Sequence, residues 1–380
     1  MPVPSPEVAP SAPVDLGPLE ERVRQAVVQA LGADGRRVGR DGGLDAGCRA
    51  TSRVVADGGD PEMIPAHLRY ALHGEQVVDA AYLPFTFGMD VGGTVPPGLL
   101  TLVSTETTGR HLTHLGVGAA ARKDGRAEVT VVLLRRMVVL SAFPRKVAPG
   151  GEQVLFGELA SPLVRNPHVV LASPTGAISD LMVRSEGPRF ACSVPFRDGQ
   201  GRYVLQVLAE DAYGPQVASQ IEVDAGDVPP LPTVKVLPSA PALDGSGREA
   251  LERQMVTLVN DYRAAMGLPR LKVDPVLTGS ARRHSQDMRD SRYFGHRSPV
   301  KGELSQRLRD AGVPPALVLE NIAMSVSIPW AHDRLVDSPS HRRNLLDPRV
   351  THIGVGVALR EAGVARIVYV TEHLARLEGR

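Results

Sequence analysis

The sequence repeats part of itself at a nearly constant distance along the chain. Three stretches recur in the same order: Leu19-Glu-Glu-Arg as Leu251-Glu-Arg-Gln, Leu44-Asp-Ala-Gly-Cys-Arg as the similar pattern Leu277-Thr-Gly-Ser-Ala-Arg, and Thr113-His-Leu-Gly-Val-Gly as Thr351-His-Ile-Gly-Val-Gly. The offsets are 232, 233 and 238 residues, so the copies differ only by small insertions. A period this long excludes a solenoid of short repeats. We therefore predict two copies of one domain, residues 16–142 and 248–376.

The segment between the two copies has the pattern of a small β-domain. Residues 145–225 contain short apolar or alternating runs about ten residues apart, with Pro- and Gly-containing turns between them. This spacing predicts an antiparallel β-sandwich. The piece from Asp198 to Gly214 resembles the late strands of bacterial immunoglobulin-like modules, which implies a spacer of that type.

Two further segments have the composition of a tail and a linker. Residues 1–15 are rich in Pro and are predicted to be disordered. Residues 226–247 include five prolines between Pro229 and Pro241 and have no apolar periodicity, which predicts a stiff linker.

Composition and charge exclude several classes of function. The net charge of +1 provides no field that would draw the chain to nucleic acid or acidic lipid. No apolar run approaches the roughly 20 residues of a membrane span. The two cysteines, Cys48 and Cys192, cannot form a Cys-rich zinc site, and two separate buried thiols are favoured over a bridge. The first residues lack a signal peptide pattern, so the chain is expected to be either cytoplasmic or a mature exported form.

The C-terminal copy has the periodicity of helices followed by a hairpin. Apolar residues at helical spacing predict a helix over 249–266, with Gly267 as its stop. A second helix carries His284 on its apolar face, where a hydrogen-bonded core histidine is favoured over a ligand. Alternation from Ile353 and a return strand from Ile367 predict a hairpin. Together these elements predict an α/β layered domain.

Four short motifs stand out in this copy. They are Tyr293-Phe-Gly-His-Arg-Ser-Pro, Glu320-Asn-Ile-Ala, Ser338-Pro-Ser-His-Arg-Arg-Asn-Leu-Leu and His352-Ile-Gly-Val-Gly-Val. With Asn260-Asp-Tyr-Arg-Ala-Ala-Met-Gly-Leu and Asp287-Met upstream, they resemble the bacterial branch of the CAP superfamily. This superfamily of SCP domains contains the cysteine-rich secretory, antigen 5 and pathogenesis-related 1 proteins. The resemblance implies an α-β-α sandwich, so the fold class expected here is α/β. It consists of two such sandwiches, the first degenerate, flanking the immunoglobulin-like β-sandwich.

The resemblance also implies a cleft lined by two histidines, His296 and His341, and one acid, Glu320. The family pattern of an aromatic residue followed by a second acid falls in the register of Leu335 and Ser338, so this chain keeps three of the four groups. Two imidazoles and a carboxylate are a usual Zn²⁺ set that leaves one position open. His341 is expected in the first turn of a helix, where the neutral, metal-binding imidazole is favoured.

The same three residues allow two other interpretations. Glu320 could act as a general base toward a bound water, with His296 and His341 as its catalytic partners. Alternatively, the three side chains form a polar network that only holds the walls of the cleft. The sequence leaves these possibilities open.

Other candidate residues are set aside. His332, His352 and His373 have no matching partners and are predicted to be surface or structural residues. In the N-terminal copy, Val103 stands at the spacing of His341, and Glu75 does not fit the spacing of the acid. We therefore expect the first copy to be structural.

Three functions follow as hypotheses. The favoured one is an exported, envelope-associated binding module for a lipid or cell-wall component, with a divalent metal such as Zn²⁺ in its cleft. The second is a hydrolase of peptide or wall polymer that depends on the metal or on Glu320. The third is a structural adhesin or scaffold. Export is implied by the resemblance alone, and whether the protein is an enzyme stays open.

The linker assignment is testable by limited proteolysis. We expect cleavage within residues 228–246, because dense proline prevents both helix and sheet and leaves the backbone accessible. Mass spectrometry of the products should identify an intact C-terminal fragment. Cleavage confined to the interior of the predicted domains would contradict the boundary.

Overall fold

A computed structural model describes most of the chain. The described residues are 17–60, 63–229, 247–312, 316–362 and 365–377. The predicted tail (1–15) lies outside them, as does nearly all of the predicted linker (226–247). The chain forms two compact units, Met1–Ala209 with Val217–Lys235, and Glu210–Gln216 with Val236–Arg380.

The first unit begins with a mixed α/β segment. Its helices and strands are α1 (Pro18–Ala30), β1 (Gly39–Arg40), α2 (Gly42–Ala56), α3 (Ile64–Gly74), β2 (Tyr82–Asp90), α4 (Pro97–Thr107), β3 (His114–Ala121) and β4 (Arg126–Leu134). The strands form one sheet in the order β1-β3-β4-β2. The short strand β1 is parallel to β3, and the other pairs are antiparallel.

A β-rich segment follows. Its strands are β5 (Val138–Leu140), β6 (Lys146–Val147), β7 (Glu152–Leu159), β8 (Arg165–Ala172), β9 (Ile178–Leu181), β10 (Val183–Glu186), β11 (Arg189–Pro195), β12 (Gly201–Asp211) and β13 (Gly214–Ala225). They form two sheets, in the orders β10-β11-β7-β5 and β6-β13-β12-β8-β9. Side chains from both sheets share one apolar core, which contains Leu155 and Phe190 from the first and Tyr203 and Val207 from the second. The strands expected from alternation in this region are confirmed.

The second unit contains a second mixed α/β segment. Its elements are α5 (Arg248–Ala265), β14 (Lys272–Val273), α6 (Pro275–Asp290), α7 (Leu304–Asp310), β15 (Leu317–Ser325), α8 (Ile328–Asp337), α9 (Pro339–Leu345), β16 (His352–Ala362) and β17 (Ala365–Arg376). The sheet order is β14-β16-β17-β15. The coarse expectation of a mixed α/β fold is confirmed.

Local signals in the sequence explain where these elements begin and end. The helix predicted over 249–266 corresponds to α5, which is followed by Gly267 in the left-handed region at φ +74°. Asp274 is the N-cap of helix α6, and its carboxylate accepts hydrogen bonds from the backbone N–H groups of Val276 and Leu277. The predicted hairpin is the antiparallel pair β16 and β17.

The sheet of the second unit contacts helices on both faces. On one face, α6 lies so close to β16 that a Cβ on Gly356 would stand 2.1 Å from the backbone nitrogen of Arg282. On the other face, Val357 packs in an apolar cluster with Met255 of α5 and Leu335 of α8. The glycines of this motif therefore allow a helix to pack directly against the strand.

The two mixed segments share buried contacts as well as strand order. Glu20 pairs with Arg49 in the first, and Glu252 pairs with Arg282 in the second. In both cases Oε1 of the glutamate also accepts a backbone N–H from the sheet. Glu20 accepts that of Ala119 on β3 at 3.0 Å, and Glu252 accepts that of Val357 on β16 at 3.2 Å. The offset between the two pairs is that of the sequence repeat.

A second shared contact is a buried hydroxyl pair. Ser52 donates to the carbonyl of Gly118 and lies 2.9 Å from Thr130 Oγ1. Ser285 donates to the carbonyl of Gly356 and lies 2.8 Å from Oγ1 of Thr371, the strand partner of Gly356. These hydrogen bonds join the helix to two strands in each sheet.

The cysteines and the helices also bear on the composition analysis. Cys48 and Cys192 are both buried, free thiols, as expected. Burial raises the pKa of the Cys192 thiol to about 11, so this group is not a reactive thiolate.

Within the described part of the chain, no helix combines the length and apolar character needed to cross a membrane.

The close approach of strand and helix predicts opposite effects for two glycine substitutions. Gly356→Ala should destabilise the second unit by about 3 kcal/mol, because the new Cβ meets helix backbone that cannot move aside. The control is Gly279→Ala in α6, the helix that packs on Gly356. This change should stabilise the second unit by roughly 0.5–1 kcal/mol, because the new Cβ would meet only the flexible end of the Arg283 side chain, at 3.6 Å. Calorimetric unfolding of the full chain measures both. Equal effects of the two substitutions would contradict the packing described here.

Candidate functional site

The carboxylate of Glu320 lies at the centre of a polar cluster in the second unit. It projects from β15 and is 7% exposed. Oε1 lies 3.0 Å from Nδ1 of His296, and Oε2 lies 2.9 Å from Nε2 of His373. Arg307 of α7 forms an ion pair with Oε2 through Nη2. Because a carboxylate only accepts hydrogen bonds, both imidazoles donate to it.

These partners keep Glu320 ionised. Burial alone would raise the pKa of the carboxyl group, but hydrogen bonds from His296 and His373 and the nearby charges hold that pKa well below its ordinary range. The guanidinium of Arg307 is itself buried, at 7% exposure. A buried charge is tolerated when it is paired and hydrogen-bonded, and here each oxygen of Glu320 has a donor.

The loop between α6 and α7 presents His296. Nε2 of His284 donates to the carbonyl of Gly295 at 3.0 Å, and Arg307 Nη1 donates to the carbonyl of His296 at 2.6 Å. Asp287 accepts hydrogen bonds from the hydroxyl of Tyr293 and from Ser298, both at 2.6 Å. The loop is thus attached to α6 through His284 and Asp287 and to α7 through Arg307.

His284 is a buried core histidine, as the sequence indicated. Its side chain is 1% exposed, and burial lowers its pKa to about 4. Nε2 is engaged with the loop and lies 4.0 Å from Oε1 of Glu320. His284 therefore supports the loop that carries His296.

His341 lies in the first turn of α9, after Ser338 and Pro339. Nδ1 is 2.7 Å from Oγ of Ser338, so this serine contacts the imidazole instead of capping the helix backbone. Burial is the main cause that lowers the pKa of His341 to about 3, and the neighbouring groups His296 and Arg334 contribute to this lowering in the same direction. The imidazole is therefore neutral at physiological pH.

Two asparagines connect α9 to the strand that carries Glu320. Nδ2 of Asn321 donates to the carbonyl of His341 at 3.3 Å. Nδ2 of Asn344 donates to Oδ1 of Asn321 at 2.9 Å and to the carbonyl of Glu320 at 3.2 Å. These bonds attach α9, which carries His341, to β15, which carries Glu320, the hydrogen-bond partner of His296.

Glu372 is a second buried acid, on β17. Its Oε2 accepts a hydrogen bond from Nδ2 of Asn321 at 3.1 Å, and Oε1 has no partner among the described residues. Its residue is fully buried, and burial raises the pKa of the carboxyl group to about 7. Glu320 and Glu372 therefore differ in protonation because their partners differ.

The structure brings the three predicted site residues together. His296 and Glu320 are hydrogen-bonded, and His341 interacts electrostatically with His296. The expectation that His373 has no partner is wrong, because in the antiparallel register it stands opposite Glu320 and donates to it. Sequence reasoning also missed Arg307, which no motif or spacing marks. The strand pairing would have identified His373 but not this arginine.

The donor set fits a metal only in part. Among the described residues, no group of three or more His, Cys, Asp or Glu side chains is arranged to hold a metal ion. Both oxygens of Glu320 already accept hydrogen bonds, so Glu320 is positioned as an orienting group for His296. His296 and His341 each use Nδ1 for an internal hydrogen bond, which is the arrangement typical of histidines that bind a metal through Nε2.

The first sheet has apolar residues at the corresponding positions. Pro84 of β2 stands opposite Val132 of β4, whereas Glu320 of β15 stands opposite His373 of β17. Val103, which matches the spacing of His341, is fully buried on α4. Glu75 lies at the end of α3, outside the sheet. The first sheet therefore carries no equivalent of the cluster around Glu320.

Comparison with known proteins finds similarity in the part of the chain that contains the cluster around Glu320. Residues 256–373 match the family model described as the Cysteine-rich secretory protein family, CAP. The chain is 39% identical over 112 residues to the uncharacterized protein YkwD of Bacillus subtilis, covering 29% of this chain and 44% of that protein. It is 38% identical over 107 residues to the uncharacterized membrane protein YlbC of the same species, covering 28% of this chain and 31% of that protein. The chain thus spans less than half the length of each of these curated relatives.

A solved structure is similar in part. It is an extracellular protein containing a SCP domain from Bacillus anthracis, with 20% sequence identity and a TM-score of 0.32. The similarity covers 59% of this chain and 81% of that one.

The protonation of Glu372 predicts an unusual pH dependence. Its folded pKa of about 7 is above the unfolded value of about 4.3, so the native state retains a proton that the unfolded chain loses. The contribution of Glu372 to stability is therefore present below about pH 4.3 and is lost as pH rises to about 7. Glu372→Gln should abolish this loss and stabilise the second unit by roughly 2–4 kcal/mol at pH 8.

Chemical unfolding of the full chain between pH 5 and pH 8 measures the effect. The control is Glu249→Gln, whose side chain is 55% exposed and which should change stability by less than about 0.5 kcal/mol. A wild-type and an E372Q profile of equal slope would contradict the assignment.

Proposed function

Because the chain carries a CAP domain of the bacterial type over residues 256–373, we propose that it is a binding module. Its His296–His341 site takes a divalent cation such as Zn²⁺ together with a ligand from the cell envelope. Two imidazoles supply only part of a zinc coordination shell, so the remaining positions are available to water and to an oxygen of the ligand. The ligand class in this proposal is a lipid headgroup or cell-wall component that has such an oxygen.

The observation that carries the proposal is the use of the imidazole nitrogens. Nδ1 of His296 donates to Glu320, which leaves Nε2 of that ring unprotonated while the ring is neutral. In the proposal, Ser338 accepts the hydrogen bond from Nδ1 of His341, which leaves Nε2 of the second ring in the same state. The low pKa of His341 supports this, because a neutral imidazole is the form that binds a metal.

The state of Glu320 favours binding over hydrolysis. A general base needs a pKa near the working pH, and the pKa of Glu320 is held well below its ordinary range. Its carboxylate is also engaged with Arg307 and two imidazoles, so it is not available to a water. We assign it the role of orienting His296 and fixing its tautomer.

The proposal extends to the whole chain. The first mixed α/β segment is a second, degenerate copy of the CAP domain, supported by the shared strand order and buried contacts. The β-rich segment is an immunoglobulin-like sandwich that serves as a spacer. An exported, envelope-associated location follows from the family resemblance, and fractionation of producing cells tests it.

The proposal predicts zinc binding that depends on both histidines. Isothermal titration of the dialysed full chain with Zn²⁺ at pH 7.5 should give one site. His296→Ala or His341→Ala should weaken its affinity by at least about 100-fold, because each removes one of two protein ligands. His341→Ala should keep the thermal stability of the wild type within a few degrees, because this imidazole is partly exposed. His296→Ala should lose more, because it also removes a hydrogen-bond donor to the buried carboxylate of Glu320.

The matched control is His168→Ala, whose half-exposed imidazole lies on β8. It should bind zinc like the wild type. Binding that is absent in the wild type, or equally strong in H341A, would overturn the cation assignment. Hydrolysis of peptide or glycan substrates that H296A and E320Q abolish would favour the hydrolase instead.

A further inference from the structure

The turn between β12 and β13 belongs to the second unit and lies outside the segment that matches the CAP family. It consists of Glu210–Gln216. Oδ1 of Asp211 accepts the backbone N–H of Tyr213 at 2.7 Å, and Gly214 has a φ of +96°. A local side-chain hydrogen bond and a left-handed glycine shape a tight turn that presents Tyr213.

Tyr213 packs on the loop that carries His296. Its ring stacks on the ring of Tyr293, with centroids 5.2 Å apart and an interplanar angle of 23°. Tyr293 in turn donates its hydroxyl to Asp287 of α6. The ring of Tyr213 also contacts the apolar cluster that contains Met288 and Tyr369, so the turn is joined to the same core as the loop.

The backbone around His296 depends on this turn. The carbonyl of Gly295 accepts from His284, and the carbonyl of His296 accepts from Arg307. The next polar group along the chain, the N–H of Arg297, donates to the carbonyl of Tyr213 at 2.8 Å. Three of the four backbone polar groups in the two peptide units that flank His296 are therefore held, and the N–H of Arg297 is held by a residue outside the matched segment.

The packing leaves no space between loop and turn. A Cβ on Gly295 would lie 2.4 Å from Cβ of Tyr213 and 2.6 Å from its carbonyl oxygen. A Cβ on Gly214 would lie 3.5 Å from Cβ of His296. Residue 295 must therefore be glycine for the turn to seat against the loop.

We propose that the turn Glu210–Gln216 positions His296, with Tyr213 as the residue through which it acts. The turn sets the path of the loop, and the loop directs Nδ1 of His296 to Glu320 and leaves Nε2 directed away from that carboxylate. Tyr213 acts through its contacts with the ring of Tyr293 and the backbone N–H of Arg297, so its role is indirect. The consequence for cation affinity rests on the proposed function, whereas the positioning of the ring does not.

The test compares Tyr213→Ala with Tyr213→Phe in the full chain. The hydroxyl of Tyr213 takes no part in the contacts above, so Phe keeps the stacked ring and Ala removes it. In Tyr213→Ala we expect zinc affinity to fall about 10-fold, the scale of changes to groups that orient a metal ligand. Tyr213→Phe should bind like the wild type, and Tyr70→Ala in the first unit is the control for loss of a half-buried tyrosine.

A second readout needs no metal. Imidazole ¹⁵N spectra of His-labelled protein report which nitrogen of His296 carries the proton. In the wild type and in Tyr213→Phe, His296 should be a single Nδ1–H tautomer, and in Tyr213→Ala a mixture of tautomers. Gly295→Ala displaces the turn from the loop side and should give the same mixture, which keeps the test valid should Tyr213→Ala unfold.

The outcomes separate the two proposals. If the wild type binds no zinc but the tautomer of His296 changes in Tyr213→Ala, the cation proposal fails and the positioning role stands. If Tyr213→Ala and Gly295→Ala are folded and both match the wild type in tautomer and affinity, the positioning role is overturned. A uniform loss in Tyr213→Phe as well would also overturn it, because the ring would then not be the acting group.

Discussion

The site depends on one buried negative charge. An ionised carboxylate at the position of Glu320 requires donors from several directions, and Arg307, His296 and His373 supply them. Arg307 adds a second function, because its other terminal nitrogen fixes the backbone carbonyl of His296. Arg307 therefore contacts both the acid that His296 faces and the backbone of the loop that carries His296. Removing either charge would leave the other buried and unpaired.

The scaffold around this charge is separable from the site. Both mixed segments have the same strand order, the same helix-to-strand glycines and the same buried acid–arginine pair. Only the second has polar groups at the central strand positions, where the first has Pro84 and Val132. The close packing of helix on strand and the glutamate–arginine pair therefore occur in both segments, with or without the cluster around Glu320. The acid and histidines are an addition that the fold does not need for its own packing.

Two acids on neighbouring strands show how context sets protonation. Glu320 and Glu372 are both buried, yet the pKa of the first is lowered and that of the second is raised. The difference is the number of donors, since among the described residues Glu372 has one hydrogen bond, from Asn321, whereas Glu320 has an arginine and two imidazoles. The neutral acid lies on the face of the sheet that holds α9 through Asn321. The charged acid lies on the face toward His284.

The amino-acid sequence predicted helices such as α5 and α6 and the hairpin of β16 and β17, and its family resemblance named His296, Glu320 and His341 as candidate site residues. The helices and the hairpin follow from short-range periodicity, and the candidate site residues from local motifs such as Ser338-Pro-Ser-His. The tertiary structure decided which atoms those residues use. It also added His373, Arg307 and Tyr213, which reach the site through strand register, through an ion pair and through a turn far from the motifs. Such contacts join residues whose separation along the chain carries no periodic signal, so no local pattern could have shown them.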